Sequence, residues 1–297
     1  TDIAGLFFDK GPVVQIRDQR GKTYVQADED GKTYYDGPLT LLISRHSASA
    51  SEILAGAIQD YGRGLVIGDS HTFGKGTVQN LNDVDPKLGA IKVTISKFYR
   101  PSGSSTQLRG VESDIVLPSL LDEYEVGEKH YDYALPWEKI TASDYKRSRM
   151  VTPHVRKLRE ASKTRVANDE GFDEVRKAIK EYKDGEAERT RVSLKLDKGK
   201  DEEKTAEKKE EEKKSKDGEM TDAEKLAEDF QLQEGLRVTA DYVQLINKRA
   251  LGPVSLVALK KPAALVQKSK PKKANPATPG TLEAADPKMK DAGKQAP

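Results

Sequence analysis

The stretch from Leu39 to Asp69 constrains the fold most. The apolar run LTLLI, Leu39 to Ile43, reads as a buried strand. After a run of serines, Ile53, Leu54, Ala57, Ile58 and Tyr61 recur at i, i+1, i+4, i+5 and i+8, which is one face of an α-helix, and GLVIGD follows as another short strand. Strand, helix and strand in so short a span predict an α/β arrangement. The flanking sequence agrees: VVQIRD, KTYVQAD and KTYYD read as strands around the turn signal DEDG. In GAIKVTISKFYRPSG, Gly89 to Gly103, Ile91, Val93 and Ile95 alternate with Lys92, Thr94 and Ser96, the period of a half-buried strand.

Order is expected to fade along the chain. Beyond Trp137, Val155, Leu158 and Ala161, then Phe172, Val175, Ile179 and Tyr182, keep helical spacing among many charges and predict amphipathic helices. From Lys195 to Glu219 almost nothing apolar is available to bury, so a mixed-sign linker or solvated helix is expected. Thr221 and Glu224 have capping-box spacing, and Leu232, Leu236, Ala240 and Val243 supply a further apolar stripe. The Lys, Pro and Ala composition after Pro262 reads as a disordered tail. The expected organisation is a core over 1–145, a helical extension over 146–194, a linker over 195–220, a helical segment packing back on the core over 221–261, and a tail over 262–297.

Charge and composition remove several function classes. Lys+Arg at 51 against Asp+Glu at 49 gives a net charge of +2, which makes no electrostatic case for nucleic acid. No apolar run is long enough to span a bilayer, and TDIAGLFFDK lacks the basic start and apolar middle of a signal peptide. With no cysteine, thiol nucleophiles, disulfides and cysteine zinc sites are excluded. No metal or cofactor is expected.

The chemistry concentrates in SRHSASASE. Ser47, Ser49 and Ser51 fall at a helix entrance, where first-turn N–H groups have no helical acceptor. A serine there can cap the helix. It can also attack beside N–H donors that stabilise an oxyanion, with Ala50 N–H the natural donor if Ser49 is the nucleophile. As its base, His46, His71, His130 and His154 are poor candidates, since no aspartate arrangement singles one out. Lys75, flanked by Gly74 and Gly76 in GDSHTFGKGTVQN, is better placed. To act as a base near neutrality a lysine must be desolvated, at a cost of about 4 kcal/mol. In an extended chain Lys75, Thr77 and Gln79 project to one side, so Gln79 can reach the amine. A phosphate loop fits worse: there is one residue too many between Gly68 and Gly74, and Gly76 stands where Ser or Thr is needed.

SASASEILAGAIQDYGRGLVIGDSHTFGKGTVQ resembles the signature of the carboxy-terminal processing protease family. GPVVQIRD, KFYRPSGSSTQLRGVESDIVLP and ALPW resemble its tail-specific branch from the Gram-negative periplasm, closely from Gly5 to about Asp144. The resemblance implies an α/β, crotonase-like and ClpP-related core with a mixed sheet and packed helices. It implies a serine endopeptidase acting on proteins or peptides with apolar C-terminal ends, a periplasmic location, and a possible lipoprotein adaptor. Carried over by position, it makes Ser49 the nucleophile, Lys75 the general base and Gln79 its orienting group. It also counts Asp60, although eleven steps of one helix from Ser49 to Asp60 amount to roughly 16 Å, which favours a fold-supporting role. The sequence departs from the family in lacking the peptide-binding PDZ domain and the glycine-rich strand end that supplies a second oxyanion N–H. The GDSHTFGKG loop is also one residue longer than is usual in the family. The expectation is a C-terminal portion that is weakly active or inactive alone. The alternatives are a noncatalytic scaffold or adaptor and a crotonase-like acyl enzyme, but no coenzyme A pocket or acidic pair is evident.

Overall fold

The computed structural model describes residues 1–85, 89–188 and 229–252, all within one unit spanning Thr1–Leu256. A short helix α1 (Asp2–Gly5) leads into strands β1 (Gly11–Asp18) and β2 (Thr23–Asp28). Then come β3 (Thr40–Ile43), helix α2 (Ala50–Asp60) and β4 (Leu65–Gly68), followed by β5 (Thr77–Asp85), β6 (Gly89–Tyr99) and β7 (Ile115–Val116). Helices α3 (Val155–Ala167), α4 (Glu170–Glu188) and α5 (Phe230–Ile246) complete the described chain. The architecture is mixed α/β. One sheet is four-stranded in the order β2-β1-β6-β5 with antiparallel pairing, and the other is three-stranded in the order β3-β4-β7 with parallel pairing.

The parallel sheet carries the main core. Leu65 and Ile67 of β4 pack with Ile115, Leu117, Val151, Leu158, Val166, Phe172, Val238 and Tyr242, so α3, α4 and α5 all close over it. Helix α2 lies between the sheets. Ala57, Ile58 and Tyr61 join Ala4, Phe8 and Val13 in a second cluster, and Ala55 meets Ile43, Val66 and Val111 in a third. The apolar spacing read from the sequence thus corresponds to faces that α2 buries on both sides.

Several expectations need correction. KTYYD forms no strand, because the Tyr34 and Tyr35 N–H groups both donate to the Leu6 carbonyl, at 3.0 and 2.9 Å. β3 is only partly buried: it is an edge strand, and Leu42 is 48% exposed. In β6 the strand is present but Ile91, Val93 and Ile95 are exposed, since β1 pairs with β6 only over Ser96 to Tyr99 and, among the described residues, the rest of the β5–β6 hairpin has no other strand beside it.

On α5 the buried face is not the expected Leu232, Leu236, Ala240 and Val243. Leu236 and Val243 are exposed, whereas Glu234, Val238, Asp241 and Tyr242 are buried. The cause is Arg165 of α3, whose guanidinium pairs with Glu234 at 2.8 Å and Asp241 at 2.7 Å, so that two acids can face the core. The linker over 195–220, the tail over 262–297 and the Thr221 and Glu224 capping box lie outside the described residues.

Candidate active site

The serine run forms a tight turn between β3 and α2, and each hydroxyl position has its own setting. Ser47 shapes the turn: its Oγ accepts from Ser44 N–H at 3.1 Å, and its N–H donates to the Ser44 carbonyl at 2.9 Å. Ser49 is the N-cap of α2, with φ 56° and ψ −109°. A non-glycine residue in that region is strained, and such strain concentrates at sharp strand-to-helix turns that push a side chain into the open. Ser51 lies in the first turn of α2 and is exposed. Ala50 opens the helix, so its N–H has no acceptor within α2.

The lysine loop is fixed by bonds to this turn and to residues Thr106, Gln107 and Leu108. Phe73 N–H donates to the Ser47 carbonyl at 2.9 Å, and Leu108 N–H donates to the Gly74 carbonyl at 2.8 Å. Thr106 Oγ1 donates to the Lys75 carbonyl at 3.2 Å, and Gly76 N–H donates to Gln107 Oε1 at 2.8 Å. Gly74 adopts φ +91°, and a Cβ on Gly76 would sit 2.7 Å from Gln107 N, so both glycines meet requirements that a larger residue would violate.

One side chain joins the two segments. Glu52, fully buried at N3 of α2, accepts through Oε1 from Thr72 Oγ1 at 2.6 Å and Gly74 N–H at 2.7 Å. Its Oε2 accepts from Ser49 N–H and Lys75 N–H, each at 2.9 Å. The main-chain nitrogens of Ser49 and Lys75 are therefore no further apart than twice that distance. Burial pushes the Glu52 carboxyl above the usual carboxylate range, while the bonds from Thr72, Gly74, Ser49 and Lys75 pull it the other way.

Gln79 lies on β5, exposed, with its amide 3.5 Å from Thr94 Oγ1. The register shift opposite Val78 and Gln79 skips Ile95 of β6, so β5 keeps its own alternation, and Thr77 and Gln79 project to the same side. Asp60 is the last residue of α2. Its carboxylate pairs with Arg100 at 2.5 Å and accepts from Ser102 N–H at 3.0 Å, tying the RPSG turn to the helix end.

Of the histidines, His46 and His130 are exposed, and His154 caps α3 with its ring 6.1 Å from Tyr242. His71 is half-buried beside Arg45. Among the described residues no group of three or more His, Asp or Glu side chains is placed to hold a metal ion, and no helix is long and apolar enough to cross a membrane.

Sequence reasoning missed Glu52, Thr72 and Arg45. The signal for Glu52 was present, because Ser49-x-x-Glu52 has capping-box spacing. Nothing local marks Arg45, whose partners come from distant segments.

Comparison with known proteins matches residues 1–117 to peptidase family S41 and residues 121–244 to the C-terminal domain of tail specific protease. The tail-specific protease of Haemophilus influenzae is 50% identical over 150 residues, which are 48% of this chain and 21% of that protein. A carboxy-terminal-processing protease of Bartonella bacilliformis is 37% identical over 134 residues, 45% of this chain and 30% of its own length. Among solved structures, the photosystem II D1 C-terminal processing protease aligns with a TM-score of 0.35 at 35% identity, over 39% of this chain and 30% of that one. The chain thus spans less than a third of the length of these relatives.

Proposed function

From the match of residues 1–117 to peptidase family S41, we propose that the chain belongs to that family and carries the Ser/Lys dyad of a serine endopeptidase, with Ser49 as nucleophile and Lys75 as general base. The observation that carries this reading is the single Glu52 oxygen that accepts from both residues' N–H groups. In the proposed reaction, neutral Lys75 Nζ takes the hydroxyl proton as Ser49 Oγ bonds to the scissile carbonyl carbon. The negative oxygen of the tetrahedral intermediate accepts from Ala50 N–H. The lysine ammonium then returns the proton to the amide nitrogen, the C–N bond breaks, and the amine leaves an acyl ester on Ser49. Water, deprotonated by the same amine, hydrolyses that ester.

Gln79 orients the amine from β5, and Asp60 braces the helix end by its bond to Arg100. The relatives' names support protein substrates processed at their C-termini. On the same resemblance we assign substrates with apolar C-terminal ends, a periplasmic location and delivery by a lipoprotein adaptor.

The test is labelling of Ser49 by an active-site-directed phosphonofluoridate as a function of pH. The expected result is stoichiometric labelling that is absent in Ser49→Ala and strongly slowed in Lys75→Ala. Equal labelling of Ser49→Ala would remove the nucleophile, and this chain would then be better described as a noncatalytic scaffold.

A further inference from the structure

Arg45 belongs to the serine turn, yet its side chain is 1% exposed and serves other segments. Its N–H donates to Asp69 Oδ2 at 2.7 Å. Its guanidinium donates through Nη1 to the Thr72 carbonyl at 3.2 Å and through Nη2 to the Val126 carbonyl, and Asp122 lies 3.8 Å from Nε. Nε itself has no hydrogen-bond partner among the described residues. The guanidinium therefore spans the serine turn, the lysine loop and the segment after β7.

The remaining Arg45 partner is the His71 imidazole, with Nη1 at 2.7 Å from Nε2 and also in contact with Nδ1. His71 Nδ1 lies 2.7 Å from the Thr72 carbonyl. We take the tautomer in which Nδ1–H donates to the Thr72 carbonyl, which leaves the Nε2 lone pair to accept from Arg45. The charged groups facing the ring are Arg45 from the serine turn, Asp122 from the turn after β7, and Lys129; Glu112 lies across a main-chain bridge. Asp122 is occupied by Ser70, accepting from its N–H at 3.1 Å and its Oγ at 2.6 Å. A proton on Nε2 would remove the acceptor and set two cationic donors against each other.

We propose that Arg45 and His71 form a clamp that holds the lysine loop against the serine turn while His71 is neutral, and that it opens when His71 takes a second proton. Burial, with smaller contributions from Arg45 and Lys129, pushes the imidazole below its ordinary value, against the Thr72 carbonyl and Asp122. The sign follows from linkage. Stability from the clamp is present above the unfolded histidine value of about 6.5, and it is lost as pH falls through the lower folded value. Arg45 and His71 are positioning residues on the reading of Ser49 and Lys75 given above, but the opening can be measured without any turnover.

The experiment is amide hydrogen exchange over residues 72–76 in the full chain between about pH 7 and pH 5, comparing wild type with His71→Gln at each pH. Glutamine can keep both bonds and cannot charge. Glu52 keeps the same partners in both proteins and is common to the comparison. The wild-type protection of Gly74 and Lys75 should fall by up to about tenfold per pH unit between about pH 6.5 and the lower folded value, and level off below it, and His71→Gln should hold it. Arg45→Lys, which keeps the charge but not the span, should lose protection in the same stretch at every pH. Parallel pH dependence in wild type and His71→Gln would overturn the clamp. The clamp is read in amide exchange and the peptidase assignment in serine labelling, so a failure of the clamp and a failure of the peptidase reading appear in different measurements.

Discussion

At Ser49 the backbone and the chemistry pull in opposite directions. A φ of 56° at a non-glycine residue costs on the order of 1–3 kcal/mol, whereas replacing a serine N-cap by glycine costs only a few tenths. Ser49→Gly should therefore stabilise the fold by about 1 kcal/mol while abolishing labelling by the serine reagent. Thermal unfolding checks the first outcome, and a lowered midpoint would show that the turn is not strained. The residues proposed for the reaction were legible in the sequence because glycines, serines and a helix entrance are local signals. Glu52 and Arg45 were harder to read. Glu52 is a capping residue by spacing, and only the fold shows that its carboxylate also accepts from Thr72, Gly74 and Lys75. Arg45 depends on Asp69, Thr72, Asp122 and Val126, contacts that no window around position 45 contains.

Among the elements, α5 shows why periodicity alone misreads a helix. Its most apolar stripe is partly exposed, and its buried stripe includes Glu234 and Asp241, because a guanidinium on α3 offsets the loss of water around them. Arg165 keeps its charge for the same reason: burial would lower its basicity, and the two carboxylates outweigh that. Arg165→Met should cost about 3–5 kcal/mol in urea unfolding, since Glu234 and Asp241 would remain buried with a lost partner. A cost below about 1 kcal/mol would mean that Arg237, 3.7 Å from Glu234, is sufficient. β6 carries the converse lesson. Its alternation was read correctly as a strand, but burial depends on what lies beside it, and among the described residues the outer part of the hairpin has only β5 as a neighbouring strand.

For the whole molecule, the parallel sheet is closed by residues far along the chain. Val238 and Tyr242 of α5 pack on Leu65 and Ile67, which adjoin the strand leading into the serine turn. A protein ending at Glu188 should bind the dye ANS and unfold with a broadened transition, whereas a sharp transition at the full-length midpoint would show α5 to be dispensable. The α/β character was legible because strand, helix and strand follow one another closely in sequence. A helical segment returning to the core over 221–261 was expected as well, but which of its faces would be buried was not legible, because Arg165, the partner of Glu234 and Asp241, lies far away in sequence. The Glu52 bridge has a consequence for how such a loop is placed. Its grip runs from Thr72 to Lys75, so from Thr72 onward one carboxylate, and not the count of residues before it, sets where the loop meets the Ser49 turn. Sequence spacing between serine and lysine is then a poor ruler for their separation in space.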